Sequence, residues 1–181
     1  MALPTREEAL ELLKKHVKDD YQILHASMVA AAMAAYATKY EKDEDLWYVT
    51  GLLHDLDYYK YPNEHPAKSL EWFKEWDYQE ELIHAVEAHA LGYNGFETKA
   101  ETLIAKALMA CDEMCGLLHA YSLMRPTGYE GMKVKSVKKK FKDKAFAAKL
   151  SRDEMTFGME QLGVDFADHV SLLIEAVREV N

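Results

Sequence analysis

The chain has 181 residues, 49% of them hydrophobic and 29% charged, with a formal net charge of −9. That length suits one domain (residues 1–181) with a real core, and the acidic balance argues against general nucleic-acid binding, which depends on neutralising phosphates. The longest apolar run, residues 26–37, is too short to span a bilayer, and no signal-peptide pattern precedes Pro4. The two cysteines, Cys111 and Cys115, form no disulfide framework and read as small buried residues, so a reduced, cytoplasmic protein is expected.

Helical patterns run through nearly the whole sequence. Thr5 and Glu8 make a capping box, followed by Leu10, Leu13 and Val17 at helical spacing. After a polar break at residues 18–21, His25 opens a stretch that is apolar almost all round and belongs at the centre of a bundle. Residues 43–57 predict the next helix, with Leu46, Val49, Thr50 and Leu53 on its inner side. Pro66 opens a helix to Trp76, and Gln79–Leu91 forms another before the loop "GYNGF". Thr98 and Glu101 are expected to cap a long helix reaching about Met124, where Arg125-Pro126-Thr127-Gly128 breaks it. Residues 133–144 hold seven lysines and one acid, Asp143, which reads as a solvated face or an anion-facing edge. Ser151 and Glu154 cap a helix closed by Gly163, and residues 164–180 are helical to the end. No stretch alternates with period two for long, so the expected class is an all-α, single-domain bundle.

Eight histidines are distributed along these helices. Successive helical residues turn by about 100°. His89 therefore shares a side with Leu82, Ala85 and Val86, whereas His84 falls opposite Leu82 with Glu80 and Glu87. Asp112 lies on the apolar stripe of Leu108, Cys111 and Cys115, and Glu113 points away from it. A carboxylate on such a stripe needs a cation, a donor or a proton. His54 and Asp55 are adjacent yet can converge on one ion, and Asp55 has two oxygens with which to bridge two. His65 stands at a helix mouth. Mixed histidine and carboxylate groups on separate helices of one bundle suit iron, manganese, zinc, cobalt or nickel.

The ordered set His25, His54-Asp55, His65, His89 and Asp112 resembles the HD superfamily of metal-dependent phosphohydrolases. Its signature is a histidine, a His-Asp doublet and a later aspartate, with two further histidines in many members that hold two metals. The resemblance covers about residues 21–118 and leaves residues 125–181 as a helical extension. It implies an HD-type helical fold in which His25, His54, Asp55 and Asp112 hold one divalent metal. Asp55 would bridge to a second, shared with His65 and His89. The implied reaction is hydrolysis of a phosphomonoester or phosphodiester, a nucleotide or related small molecule, by metal-bound hydroxide. Asp55 and Asp112 are the expected catalytic residues. Lys60, Tyr93, Asn94, Arg125 and Lys138 are candidates for holding substrate, with Phe96 beside Tyr93 and Asn94. Two other outcomes share the ligand pattern, a di-iron oxygenase and a non-catalytic nucleotide or metabolite binder. Many relatives carry glycine and lysine two and three residues after the doublet's aspartate, where this chain has Asp57 and Tyr58.

Overall fold

The structure, a computed structural model, describes residues 3–180. Among them are nine helices and no strand: α1 (Arg6–His16), α2 (Asp20–Lys39), α3 (Glu44–Leu53), α4 (Ala67–Glu75), α5 (Glu80–His89), α6 (Leu103–Ser122), α7 (Val134–Lys142), α8 (Arg152–Leu162) and α9 (Phe166–Arg178). The all-α expectation holds. Local chemistry sets the ends. Thr5 and Glu8 form the reciprocal capping box on α1, Ser151 accepts the Glu154 N–H at the start of α8, and Gly163 closes α8 with φ 73°.

Three boundaries differ from the sequence pattern. The carboxylate of Asp19 accepts the Gln22 N–H and starts α2 ahead of the apolar stretch, so His25 stands in its second turn rather than at its mouth. Thr98 does not cap α6. Its hydroxyl donates to Glu87 Oε1 (2.8 Å), and the cap is Thr102. The third helix stops at Leu53, short of Asp57, and the chain continues in tight turns.

The two longest helices, α2 and α6, pack on each other and form the middle of the bundle. Helices α3 and α9 also lie against α2, and α5, α8 and α9 against α6. Buried side chains from all nine helices join one hydrophobic core. Two glycines bring backbones together where a methyl group would not fit. A Cβ on Gly51 would stand 2.9 Å from Ala30 Cα of α2, and one on Gly158 would stand 2.7 Å from the Met109 carbonyl oxygen of α6. The first contact seats the end of α3 deep in the bundle, next to His54.

A buried polar chain ties α9 to this centre. The Tyr36 hydroxyl donates to His169 Nδ1 (2.5 Å), and His169 Nε2 donates to the Ala110 carbonyl (2.9 Å). That pattern requires a neutral imidazole, and burial pushes His169 down to about 4. The unfolded chain therefore binds more protons than the folded one between about pH 6.5 and 4, and stability falls as pH drops through that window. The full loss from this residue is about 3 kcal/mol. Urea unfolding of wild type and His169→Gln at pH 7 and pH 4.5 measures it. The wild type should lose more stability than the variant, and an equal loss in both would refute the assignment.

Candidate metal centre

After Leu53 the backbone tightens into i→i+3 turns: the N–H groups of Leu56, Tyr58 and Lys60 donate to the carbonyls of Leu53, Asp55 and Asp57 at 3.0–3.1 Å. This turn carries His54, Asp55 and Asp57, and it places them against residues from four other parts of the bundle. His54 is fully buried and donates from Nδ1 to the Gly51 carbonyl (2.7 Å). His65 donates from Nδ1 to Asp57 Oδ1 (2.7 Å), and His89 donates from Nδ1 to the Val86 carbonyl. The acceptors are all oxygens without protons, so the three imidazoles share one tautomer. Each turns its Nε2 to the same region, the arrangement that an outer hydrogen bond gives a metal-ligating histidine.

These Nε2 atoms converge on Asp55. Its Oδ2 lies 3.4 Å from His54 Nε2, while its Oδ1 lies 3.3 Å from His65 Nε2 and 3.5 Å from His89 Nε2. The two imidazoles of His65 and His89 face each other at 3.2 Å between Nε2 atoms. On the other side, Asp112 Oδ1 is 2.8 Å from His25 Nε2 and 3.5 Å from His54 Nε2. Two ligands bound about 2.1 Å from one ion stand about 3.0 Å apart at a right angle and about 3.4 Å apart in a tetrahedron. The separations of 3.2–3.5 Å here lie close to the tetrahedral value, and His25–Asp112, at 2.8 Å, is at hydrogen-bond length. Three overlapping sets have ligand atoms close enough to share an ion: His25, His54 and Asp55; His54, His89 and Asp112; and Asp55, His65 and His89.

A test of fit comes from the buried polar atoms. His54 Nε2 and His25 Nδ1 are buried without a hydrogen-bond partner. An orphaned buried nitrogen is costly, and His54, Asp55 and Asp112 would satisfy the one on His54 if they held an ion. The charges agree. Burial opposes a proton on His54, yet the Asp55 and Asp112 carboxylates outweigh it and hold the imidazole well above its ordinary value. Burial likewise opposes ionisation of Asp55 and Asp112, and the neighbouring histidines, His54 foremost, hold both well below the usual carboxylate range. The field that draws a proton onto His54 would favour a divalent cation in the same place.

Five of the six residues, His25, Asp55, His65, His89 and Asp112, form the floor of an open cavity of about 450 Å³, within the range of small-molecule sites, and the buried His54 lies beneath it. Asp55 and Asp112 keep about a quarter of their side chains exposed to it. Of the expected substrate contacts, Tyr93 lines this cavity. Asn94 does not. It donates to the carbonyls of Pro62 (3.2 Å) and His65 (2.8 Å) and braces the segment that carries His65. Lys60 is exposed and outside the lining. Arg125 is engaged with its own loop, donating to the Gly128 and Glu130 carbonyls at 2.7 Å, and faces a separate groove. Lys138 lies over the Phe166 ring, 5.9 Å from its centroid. The lysine-rich segment thus supplies no wall of the cavity. Residues 150 and 154 do, as Leu150 and Glu154.

Two residues were misjudged from the helical wheel or left without a role. Glu113, expected to point away, lines the cavity and accepts the Ser151 N–H (3.0 Å). Burial and the nearby Asp112 charge push it up to about 7. Its face of α6 is covered by α8, which the wheel of α6 alone does not reveal. Asp57 is fully buried and accepts three hydrogen bonds, from His65 Nδ1 and the N–H groups of Lys68 and Ser69. A second acid two residues after the doublet was the available signal. Tyr58, at the other departure from the family pattern, sets its ring edge-on to His65 at 5.3 Å.

The family model described as HD domain matches residues 23–117, more than half of the chain, and spans every one of these six residues. Among curated proteins and solved structures, nothing matches the chain. No helix among the described residues is long and apolar enough to cross a membrane.

Proposed function

The chain belongs to the HD domain family of metal-dependent phosphohydrolases, and from that premise we propose that it hydrolyses a small phosphoester at a two-ion centre. His25, His54, Asp55 and Asp112 hold one divalent ion, and Asp55, His65 and His89 hold the other. One observation carries this reading. Three histidines with a common tautomer aim Nε2 at the two oxygens of a single carboxylate, on the floor of an open cavity.

Bound divalent ions lower the pKa of water and neutralise phosphoryl oxygens in such sites. The chain's own residues do the rest. Asp55 turns one oxygen to each side and fixes the spacing of the two half-sites. Asp112 stands at the His25 side and can orient a water there. Gly51, Val86 and Asp57 keep the Nδ1 protons and so keep the Nε2 lone pairs free.

Elemental analysis of the purified protein, followed by a phosphoester panel with the metal found, tests the reading. One or two equivalents of manganese, iron, cobalt, nickel or zinc and release of inorganic phosphate are expected. Absence of any bound transition metal would sink it. So would iron with oxygen consumption and no phosphate release.

A further inference from the structure

We propose that the cavity selects a phosphomonoester whose alcohol carries a primary ammonium group, with the three mouth tyrosines around the cation and Glu113 and Glu154 as its acceptors. This rests on the phosphohydrolase reading above and adds the substrate class.

No lysine or arginine lines the cavity. A nucleoside diphosphate or dinucleotide brings phosphate charge beyond the single group that the metal centre can receive, and such charge is ordinarily met by arginine or lysine. Here it would meet carboxylates. Asp55 and Asp112 are engaged at the floor, and Asp19 caps α2. Glu113 and Glu154 remain on the wall. Glu154 interacts with the Tyr93 hydroxyl, which leaves further acceptor capacity on its carboxylate. The wall is therefore rich in acceptors, and the ligand has to bring donors.

The mouth points the same way. Tyr21, Tyr58 and Tyr93 all line the cavity and are 47%, 43% and 52% exposed. Tyr21 packs beside His25 and Tyr58 beside His65, so the rings flank the metal floor from opposite sides. Tyrosine faces attract cations, more strongly once the cation sheds water. In the reaction, water oxygen forms a new bond to phosphorus and the ester P–O bond breaks. The leaving oxygen takes a proton, and the products are inorganic phosphate and an amino alcohol.

The test uses the full chain loaded with the metal it binds and compares O-phosphoethanolamine with its neutral isostere n-propyl phosphate, alongside AMP, ADP and p-nitrophenyl phosphate. The ammonium ester should exceed its isostere in kcat/KM by about tenfold or more. Glu154→Gln should shrink that ratio, and Glu154→Lys should reduce it further. If p-nitrophenyl phosphate is hydrolysed but the two esters are equal, or AMP or ADP is the best substrate, the substrate class is wrong while the hydrolase reading stands. If no ester releases phosphate, both fall together.

Discussion

Asp55→Ala should lose both ions and phosphoester turnover while keeping the helical fold. The carboxylate faces both half-sites, with Oδ2 toward His54 and Oδ1 toward His65 and His89. Losing an outer hydrogen-bond partner of a ligand costs about 10–100-fold in metal affinity. Losing the bridging ligand itself should cost at least the upper end of that range. The fold should survive because Asp55 keeps over a quarter of its side chain exposed, and no helix takes it as a cap. Titration against a competing chelator reads the affinity, and far-ultraviolet circular dichroism reads the helices. Asp55→Asn retains the shape and removes the charge, so it should weaken metal binding as well. A variant that still holds two equivalents of metal and turns over substrate would remove Asp55 from the centre.

Asp57→Asn should weaken metal binding about 10–100-fold and destabilise the protein by about 1–3 kcal/mol. One carboxylate serves two ends. Oδ1 accepts from His65 Nδ1 at 2.7 Å, while Oδ2 accepts from Lys68 and Ser69 N–H at 3.0 and 3.1 Å. Those two N–H groups belong to the first turn of α4, whose own cap residue, Pro66, supplies no side-chain hydrogen bond. Asp57 therefore caps α4 from a distance and fixes the ring of His65 in the same act. An asparagine can keep only one of these functions, because its amide NH2 faces donors at either end. Urea unfolding without metal reads the capping loss, and chelator competition reads the metal loss. In a cycle with His65→Ala, the metal effect of Asp57→Asn should largely vanish, since the ring it orients is gone. Full additivity would mean that Asp57 acts on the fold alone.

These residues show where sequence reasoning reaches and where it stops. The box at Thr5 and Glu8 and the cap at Ser151 were legible because they are written within four residues. The ordered histidines and aspartates were legible as a set, because apolar periodicity tells which helical face is inward. Periodicity does not tell which element covers a face. Glu113 looked solvent-facing on α6, and α8 made it a cavity wall. Asp57 looked like a lost glycine until the start of α4 was folded back onto it. Thr98 was expected to cap α6, but a long-range partner on Glu87 drew it away and the cap is Thr102. The lysine-rich stretch had the charge for a phosphate, but its helix lies on the α9 and α6 sides of the bundle.

The contact of Gly158 with the backbone of α6 seats α8 so closely that Leu150 and Glu154 reach the rim of a cavity whose floor lies entirely within residues 23–117. The floor and this part of the rim therefore belong to different stretches of the chain. Substitutions around Leu150 and Glu154 can retune which molecule enters without touching a single metal ligand. The stretch after residue 125 can therefore vary while the residues of the candidate metal site stay fixed. Exchanging that stretch between relatives is the corresponding route for redesign.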